Sequence, residues 1–141
     1  MSRREIRVVA GIIWRGREFL AVDRPEGKDF AHMWEFPGGK IGHGESAEDA
    51  LVRELREELR ITATSFSAWR EKRHDYAEFT VHLTFFHVHA FMGEPYPAEG
   101  QALAWVRPEE PGGLAFLPAD VEILEALKRY DGPRGEGGRV T

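Results

Sequence analysis

Between Pro37 and Ile61 a glycine-dense stretch runs without a break into a helical repeat whose apolar stripe carries a glutamate. The stretch opens with Gly38, Gly39, Lys40, Ile41, Gly42, His43 and Gly44. A backbone so bare of side chains can approach a ligand closely, and Lys40 adds one positive charge. From Ser46 to Leu59 the residues Ala47, Leu51, Leu55 and Leu59 recur at helical spacing, with Ser46 and Asp49 placed to open a capping box. At ~100° per residue, Glu54, Glu57 and Glu58 fall on one side of that helix, and Glu58 points into the stripe of Leu51. Crowded carboxylates repel one another, and burying one costs on the order of several kcal/mol. Hard divalent cations such as Mg2+ and Mn2+ prefer oxygen ligands and remove both penalties. A solvated acidic face balanced by Arg53, Arg56 and Arg60 would need no metal. It leaves unexplained a carboxylate on the leucine side.

Around this segment the pattern predicts helices and a mixed sheet in one layered domain. Ile6–Trp14 and Glu18–Asp23 read as a hairpin turning at Arg15, Gly16 and Arg17. A polar loop follows from Arg24 to Met33, then the short piece Trp34, Glu35, Phe36, which Pro37 and Gly38 should end. Phe79–Phe91 alternates like a strand, with Phe79, Val81, Leu83 and Phe85 on one face. Ala102–Arg107 is a further strand, and Pro118–Tyr130 a helix with Val121, Leu124 and Leu127 turned inward. Residues 1–130 are expected to form a single domain, and the glycine-rich residues 131–141 a flexible tail. His87 and His89 share a strand face, but a metal site there lacks a third ligand, and His43 reads as a solvated loop histidine.

Charge and composition narrow the function classes. Nineteen basic side chains stand against 24 acidic ones, for a net charge of -5, which disfavours a protein that coats nucleic acid through a basic face. A small polyanionic substrate remains open if metal ions compensate its charge. The chain has no cysteine, so disulfides, thiolate metal sites and cysteine nucleophiles are excluded, and a reducing cytoplasm is the expected setting. No apolar run reaches the ~20 residues of a membrane span. Arg3 and Arg4 precede an apolar stretch, but Arg7 interrupts it and Arg15 ends it, which is unlike a signal peptide.

Gly39, Glu45 and the run Arg53-Glu54-Leu55-Arg56-Glu57-Glu58-Leu59-Arg60-Ile61 resemble the box of the Nudix hydrolases. One position departs: Arg60 stands where the family usually has a helix-ending glycine. Trp34–Ile41, Arg24, Glu99-Gly100-Gln101 and Leu117–Asp120 are similar to the MutT branch, which acts on nucleoside triphosphates. Gln101–Trp105 with Pro118–Asp120 is also similar to the CTP pyrophosphohydrolases. The resemblance implies an α/β/α sandwich of the α+β kind, with a mixed β-sheet and a loop–helix–loop that binds Mg2+, or Mn2+ in its place. It implies metal ligation by Glu57, Glu58 and the carbonyl of Gly38. Glu54 and Glu99 are implied as further ligands or as the base that activates water. Arg53 would orient the carboxylates, Lys40 would contact phosphate, and Gly39 and Glu45 would be architectural. Arg24, Phe36 and Asp120 would line the base pocket, with an amide in place of Asp120 in MutT itself. The implied reaction splits a nucleoside triphosphate into monophosphate and pyrophosphate, with modified nucleotides such as 8-oxo-dGTP or else cytosine nucleotides as substrate. Neither nucleic acid, membrane nor an obligate protein partner is implied. Nucleotide sugars and dinucleoside polyphosphates are further candidate substrates. A non-catalytic binding module is the rival class, disfavoured by a box without gaps.

Overall fold

The computed structural model describes residues 3–135. Strand β1 (Arg4–Arg15) turns at Gly16, whose φ of 64° suits glycine, into β2 (Glu18–Asp23), with Trp14 opposite Phe19. There follow β3 (Trp34–Glu35), β4 (Gly38–Lys40), α1 (Ala47–Leu59), β5 (Thr62–Asp75), β6 (Phe79–Met92), β7 (Leu103–Val106) and α2 (Pro118–Lys128). The strands form one seven-stranded sheet in the order β3-β2-β1-β6-β5, with β4 also on β1 and β7 also on β2. β1 and β6 run parallel from Arg4↔Phe79 to Ile13↔Val88, and the other pairs are antiparallel. The sheet is therefore mixed.

Both faces of the sheet centre are covered, because the buried runs of β1 and β6 are apolar on both sides. Val9, Ile13, Phe86 and Val88 pack against Leu51, Leu55 and Leu59 of α1. Ala10, Ile12, Phe85 and Phe36 pack on the opposite side with Ile123, Leu124 and Leu127 of α2. This is the expected α/β/α layering. One detail differs in α2: Val121 is 45% exposed. The inward face runs through Asp120, Ile123, Leu124 and Leu127, one turn apart on a 3.6-residue period, so an acid occupies a place the apolar pattern did not reveal.

Ser46 caps α1 by accepting from the Asp49 N–H at 3.0 Å. At the other end Arg60 takes the left-handed conformation (φ 58°, ψ 33°), its N–H directed at the carbonyls of Arg56 and Leu55. The helix thus ends as a glycine would end it, with the Arg60 guanidinium 4.2 Å from the centre of the Tyr96 ring. Of the segment expected as a tail, residues 131–135 lie against the body. There Arg134 sits 4.7 Å over the Trp14 ring, donates to the Arg17 carbonyl at 3.2 Å and pairs with Glu109 at 3.1 Å. The remainder of that tail, residues 136–141, lies outside the described residues. Among the described residues no helix is long and apolar enough to cross a membrane.

Candidate active site

The first two glycines of the loop turn out to be strand. β4 pairs with β1 through Ala10↔Gly38, Val9↔Gly39 and Val8↔Lys40, and neither Gly38 nor Gly39 has a positive φ. Their reason is space. A Cβ on Gly38 would sit 2.0 Å from the Val9 carbonyl oxygen, and one on Gly39 would sit 1.9 Å from Glu54 Oε2. The strand therefore lies flat between β1 and the acidic face of α1.

That face is organised by one guanidinium. Arg53 donates from Nε and Nη2 to both oxygens of Glu45 at 2.7 and 2.9 Å, and from Nη1 to Glu54 at 2.9 Å and Glu57 at 3.1 Å. It also reaches the Lys40 carbonyl at 3.0 Å. Glu45 in turn accepts from the Gly42 N–H at 2.7 Å, tying the loop to the helix. The bonds from Arg53, then the one from Gly42, hold the Glu45 carboxyl down at about 2.

Glu58 lies deeper. It is 8% exposed and accepts from the Gly38 N–H at 3.2 Å. Burial, reinforced by the negative charges of Glu99 and Glu35, pushes its carboxyl up to about 8. Burial also raises Glu54, against the pull of Arg53. Glu54, Glu58 and Glu99 line a single cavity of about 370 Å³ with Gly38, Gly39 and Lys40. Glu57 does not line it; its side chain is 59% exposed and held by Arg53.

The same cavity is bordered by Arg24, Phe36 and Asp120. Asp120 is buried, and burial together with nearby Glu35 pushes it up to about 7. It does not cap α2, whose N-cap is Leu117 without a side-chain bond. Phe36 is only 4% exposed, packed by Phe19, Phe85 and Phe116, so it forms a floor more than an open stacking face. Arg24 is committed to Glu35 at 3.2 Å and to the Asp29 carbonyl at 2.7 Å. Glu35 is the residue that sequence reasoning missed. Burial raises its carboxyl against the pull of Arg24, and its charge acts on both Glu58 and Asp120. A single carboxylate between two aromatics was the only signal available. Gln101, buried in the same wall, carried no signal of its own beyond its place in a motif.

The donor set suits a divalent cation. Its oxygens are hard, its charges repel one another, and burial penalises the charged form of its deepest member. Among the described residues no three acidic or histidine side chains already converge on one point; Glu54 and Glu57 are both bonded to Arg53. In the histidine pair, His87 Nε2 is buried without a hydrogen-bond partner among the described residues. His87 is buried and accepts from Trp14 Nε1 at 2.9 Å, and His89 bonds Ser67 at 3.0 Å. His43 is exposed on the loop.

A comparison with protein families matches the NUDIX domain over residues 8–126. The chain belongs to the Nudix family. Among curated relatives, this Nudix protein is 44% identical to the CTP pyrophosphohydrolase of Escherichia coli K12, over 86% of this chain and 90% of the relative. It is 37% identical to the 8-oxo-dGTP diphosphatase of Haemophilus influenzae, over 90% of this chain and 94% of that one. Among solved structures, the solution structure of the E. coli ORF135 protein superposes with a TM-score of 0.80 at 42% identity, over 90% and 91% of the two chains. Nudix hydrolases generally need divalent metal ions and act on nucleotide substrates, which agrees with the carboxylate-lined cavity.

Proposed function

We propose that this Nudix protein is a Mg2+-dependent nucleoside triphosphate pyrophosphohydrolase that releases a nucleoside monophosphate and pyrophosphate and removes modified nucleotides such as 8-oxo-dGTP. The observation that carries the reading is Glu58, a carboxyl buried beside Glu54 and Glu99 and held against the Gly38 N–H instead of a cationic side chain. In this reading Glu57 and Glu58, with the Gly38 carbonyl and either Glu54 or Glu99, hold the cation, and Mn2+ can replace it. A cation held there would neutralise phosphate charge and lower the pKa of a water molecule. Glu54 or Glu99 accepts the proton as the water oxygen bonds to phosphorus and the bridging P–O bond breaks. Arg53 orients the carboxylates by ion pairing, Lys40 meets phosphate oxygens, and Glu45 with Gly39 fixes the loop. No covalent nucleophile is required, since positioning and electrostatics supply most of the catalysis of phosphoryl transfer.

The base would enter between Arg24, Phe36 and Asp120. A carboxyl that titrates near neutrality both donates and accepts hydrogen bonds, so Asp120 suits either guanine-type or cytosine edges. A cytosine nucleotide is therefore the second reading, favoured by the 44% identity to a CTP pyrophosphohydrolase. The proposal places the protein in the cytoplasm, as one domain over residues 1–130 followed by the tail, without stable nucleic-acid binding or an obligate protein partner.

The test is a pyrophosphate-release screen over 8-oxo-dGTP, dGTP, dCTP and CTP with Mg2+. A highest kcat/KM on 8-oxo-dGTP supports the first reading, and one on a cytosine nucleotide supports the second. Asp120→Asn should reorder the panel without changing metal dependence. An unchanged order removes Asp120 from the base pocket.

A further inference from the structure

Helix α1 ends inside the protein, where its last carbonyls need donors. The loop between β6 and β7 supplies them: the Tyr96 N–H donates to the Leu59 carbonyl at 2.9 Å, and the Ala98 N–H to the Glu58 carbonyl at 3.3 Å. A third donor is a side chain. Gln101, 5% exposed, gives its Nε2–H to the same Glu58 carbonyl at 3.1 Å, while its Oε1 accepts from the Glu99 N–H at 2.9 Å. One planar amide, with donor and acceptor at fixed separation, therefore joins the main chain of Glu58 to the main chain of Glu99. The far side of the loop is fastened by Asp23, whose Oδ1 accepts from the Ala102 N–H at 2.7 Å and whose own N–H donates to the Ala102 carbonyl at 3.2 Å. Glu58 belongs to a rigid helix. Glu99 belongs to a turn, outside any helix or strand that would hold it in place.

We infer that Gln101 is a positioning residue: its amide sets the spacing between Glu58 on α1 and Glu99 on the β6–β7 loop, so that both carboxylates reach one divalent cation. The inference rests on the reading of Glu58 and Glu99 as metal ligands. Gln101 borders the cavity, but both ends of its amide are spent on main-chain groups. It acts through the two main-chain groups it bridges.

The test is Mn2+ binding to the substrate-free protein, read from the electron paramagnetic resonance of unbound Mn2+. Gln101→Met keeps the length of the side chain and removes the bridge. It should weaken Mn2+ binding about 10- to 100-fold, the usual cost of losing a group that orients a ligand. Glu99→Gln should weaken it comparably, and the double variant should be no weaker than the weaker single one, because both remove the same contact. Turnover of nucleoside triphosphate by Gln101→Met should fall in kcat with KM little changed. Gln101→Asn retains the amide but is too short to span both partners, and should behave like Gln101→Met. Parent-like Mn2+ affinity in Gln101→Met, with a lowered melting temperature, would make the bridge merely structural and overturn the inference. Additive losses in the double variant would do the same, as would failure of both Gln101 variants to fold. Parent-like affinity in Glu99→Gln instead overturns the ligand reading of Glu99 on which the inference stands.

Discussion

Glu58 is held between opposing demands. Burial, reinforced by the charges of Glu99 and Glu35, raises its carboxyl to about 8, yet the proposed chemistry needs it ionised. Glu58→Gln should therefore separate stability from activity. The amide keeps the volume and removes the buried ionisable group, so the metal-free variant should melt higher than the parent at pH 8, while turnover falls about 100-fold or more. A Glu58→Gln protein that turns over at the parent rate would remove this residue from the metal site. Glu57→Gln should lose turnover similarly but leave the melting temperature near the parent value, since Glu57 is exposed. Arg60 offers a test of backbone strain. A non-glycine residue in the left-handed region costs about 1–2 kcal/mol, and the contact with Tyr96 returns about 0.5–1 kcal/mol. Arg60→Gly should then stabilise the protein by about 0.5–1 kcal/mol in urea unfolding without altering turnover, and a destabilised variant would contradict this. Glu58 was legible because a charge on a leucine stripe breaks a strong periodic pattern. Glu35 and Gln101 were not, because nothing local in a short strand or a loop marks a polar residue as buried.

At the scale of elements, β4 and α1 interlock through two adjacent glycines with different neighbours. A Cβ on Gly38 meets the Val9 backbone, which cannot move without opening β1, whereas a Cβ on Gly39 meets the end of the Glu54 side chain. Gly38→Ala should consequently destabilise the fold by several kcal/mol, on the order of the largest single-residue effects. Gly39→Ala should cost little stability but displace Glu54 and lower kcat about tenfold or more. Equal melting temperatures for the two variants would contradict the different roles given to the two glycines. The sequence pattern announced a loop here, since glycine density carries no sign of strand pairing. The pairing with Val8, Val9 and Ala10 is a long-range fact. Helix α1 was legible to its cap, Ser46, because local hydrogen bonding decides such ends. Helix α2 was legible in its start and in the burial of Leu124 and Leu127, but it ends at Lys128 and not Tyr130, and it buries Asp120 where Val121 was expected.

In the whole molecule the cavity is assembled from β1, the end of β2 and the loop after it, β3, β4, α1, the β5–β6 turn, β6, the β6–β7 loop and the start of α2. No periodicity in the chain reports such a convergence. A mixed sheet in one layered domain was readable because alternation and helical spacing are local, whereas the covering of both faces followed only from the family resemblance. The carboxyls gathered in the cavity give the molecule a characteristic pH response. Glu58 and Asp120, raised to about 8 and about 7 from ordinary values of 4.5 and 3.8, keep their protons in the folded state after the unfolded chain has lost them. Stability must then fall as pH rises through those values. Buried His87, depressed to about 4 from 6.5, acts in the opposite sense but has given its full contribution once pH exceeds 6.5. The metal-free protein should therefore lose melting temperature between pH 6.5 and 8, and a divalent cation should restore much of it at pH 8 by binding the folded state. A metal-free melting temperature that rises across that interval would contradict the buried-carboxyl account. The most direct test of the central claim follows the products of nucleoside triphosphate hydrolysis by phosphorus NMR, with Mg2+ present and with Mg2+ removed by chelator. The account predicts nucleoside monophosphate and pyrophosphate in the first case and no turnover in the second. Nucleoside diphosphate with orthophosphate as the first products, or hydrolysis that continues under chelator, would contradict it.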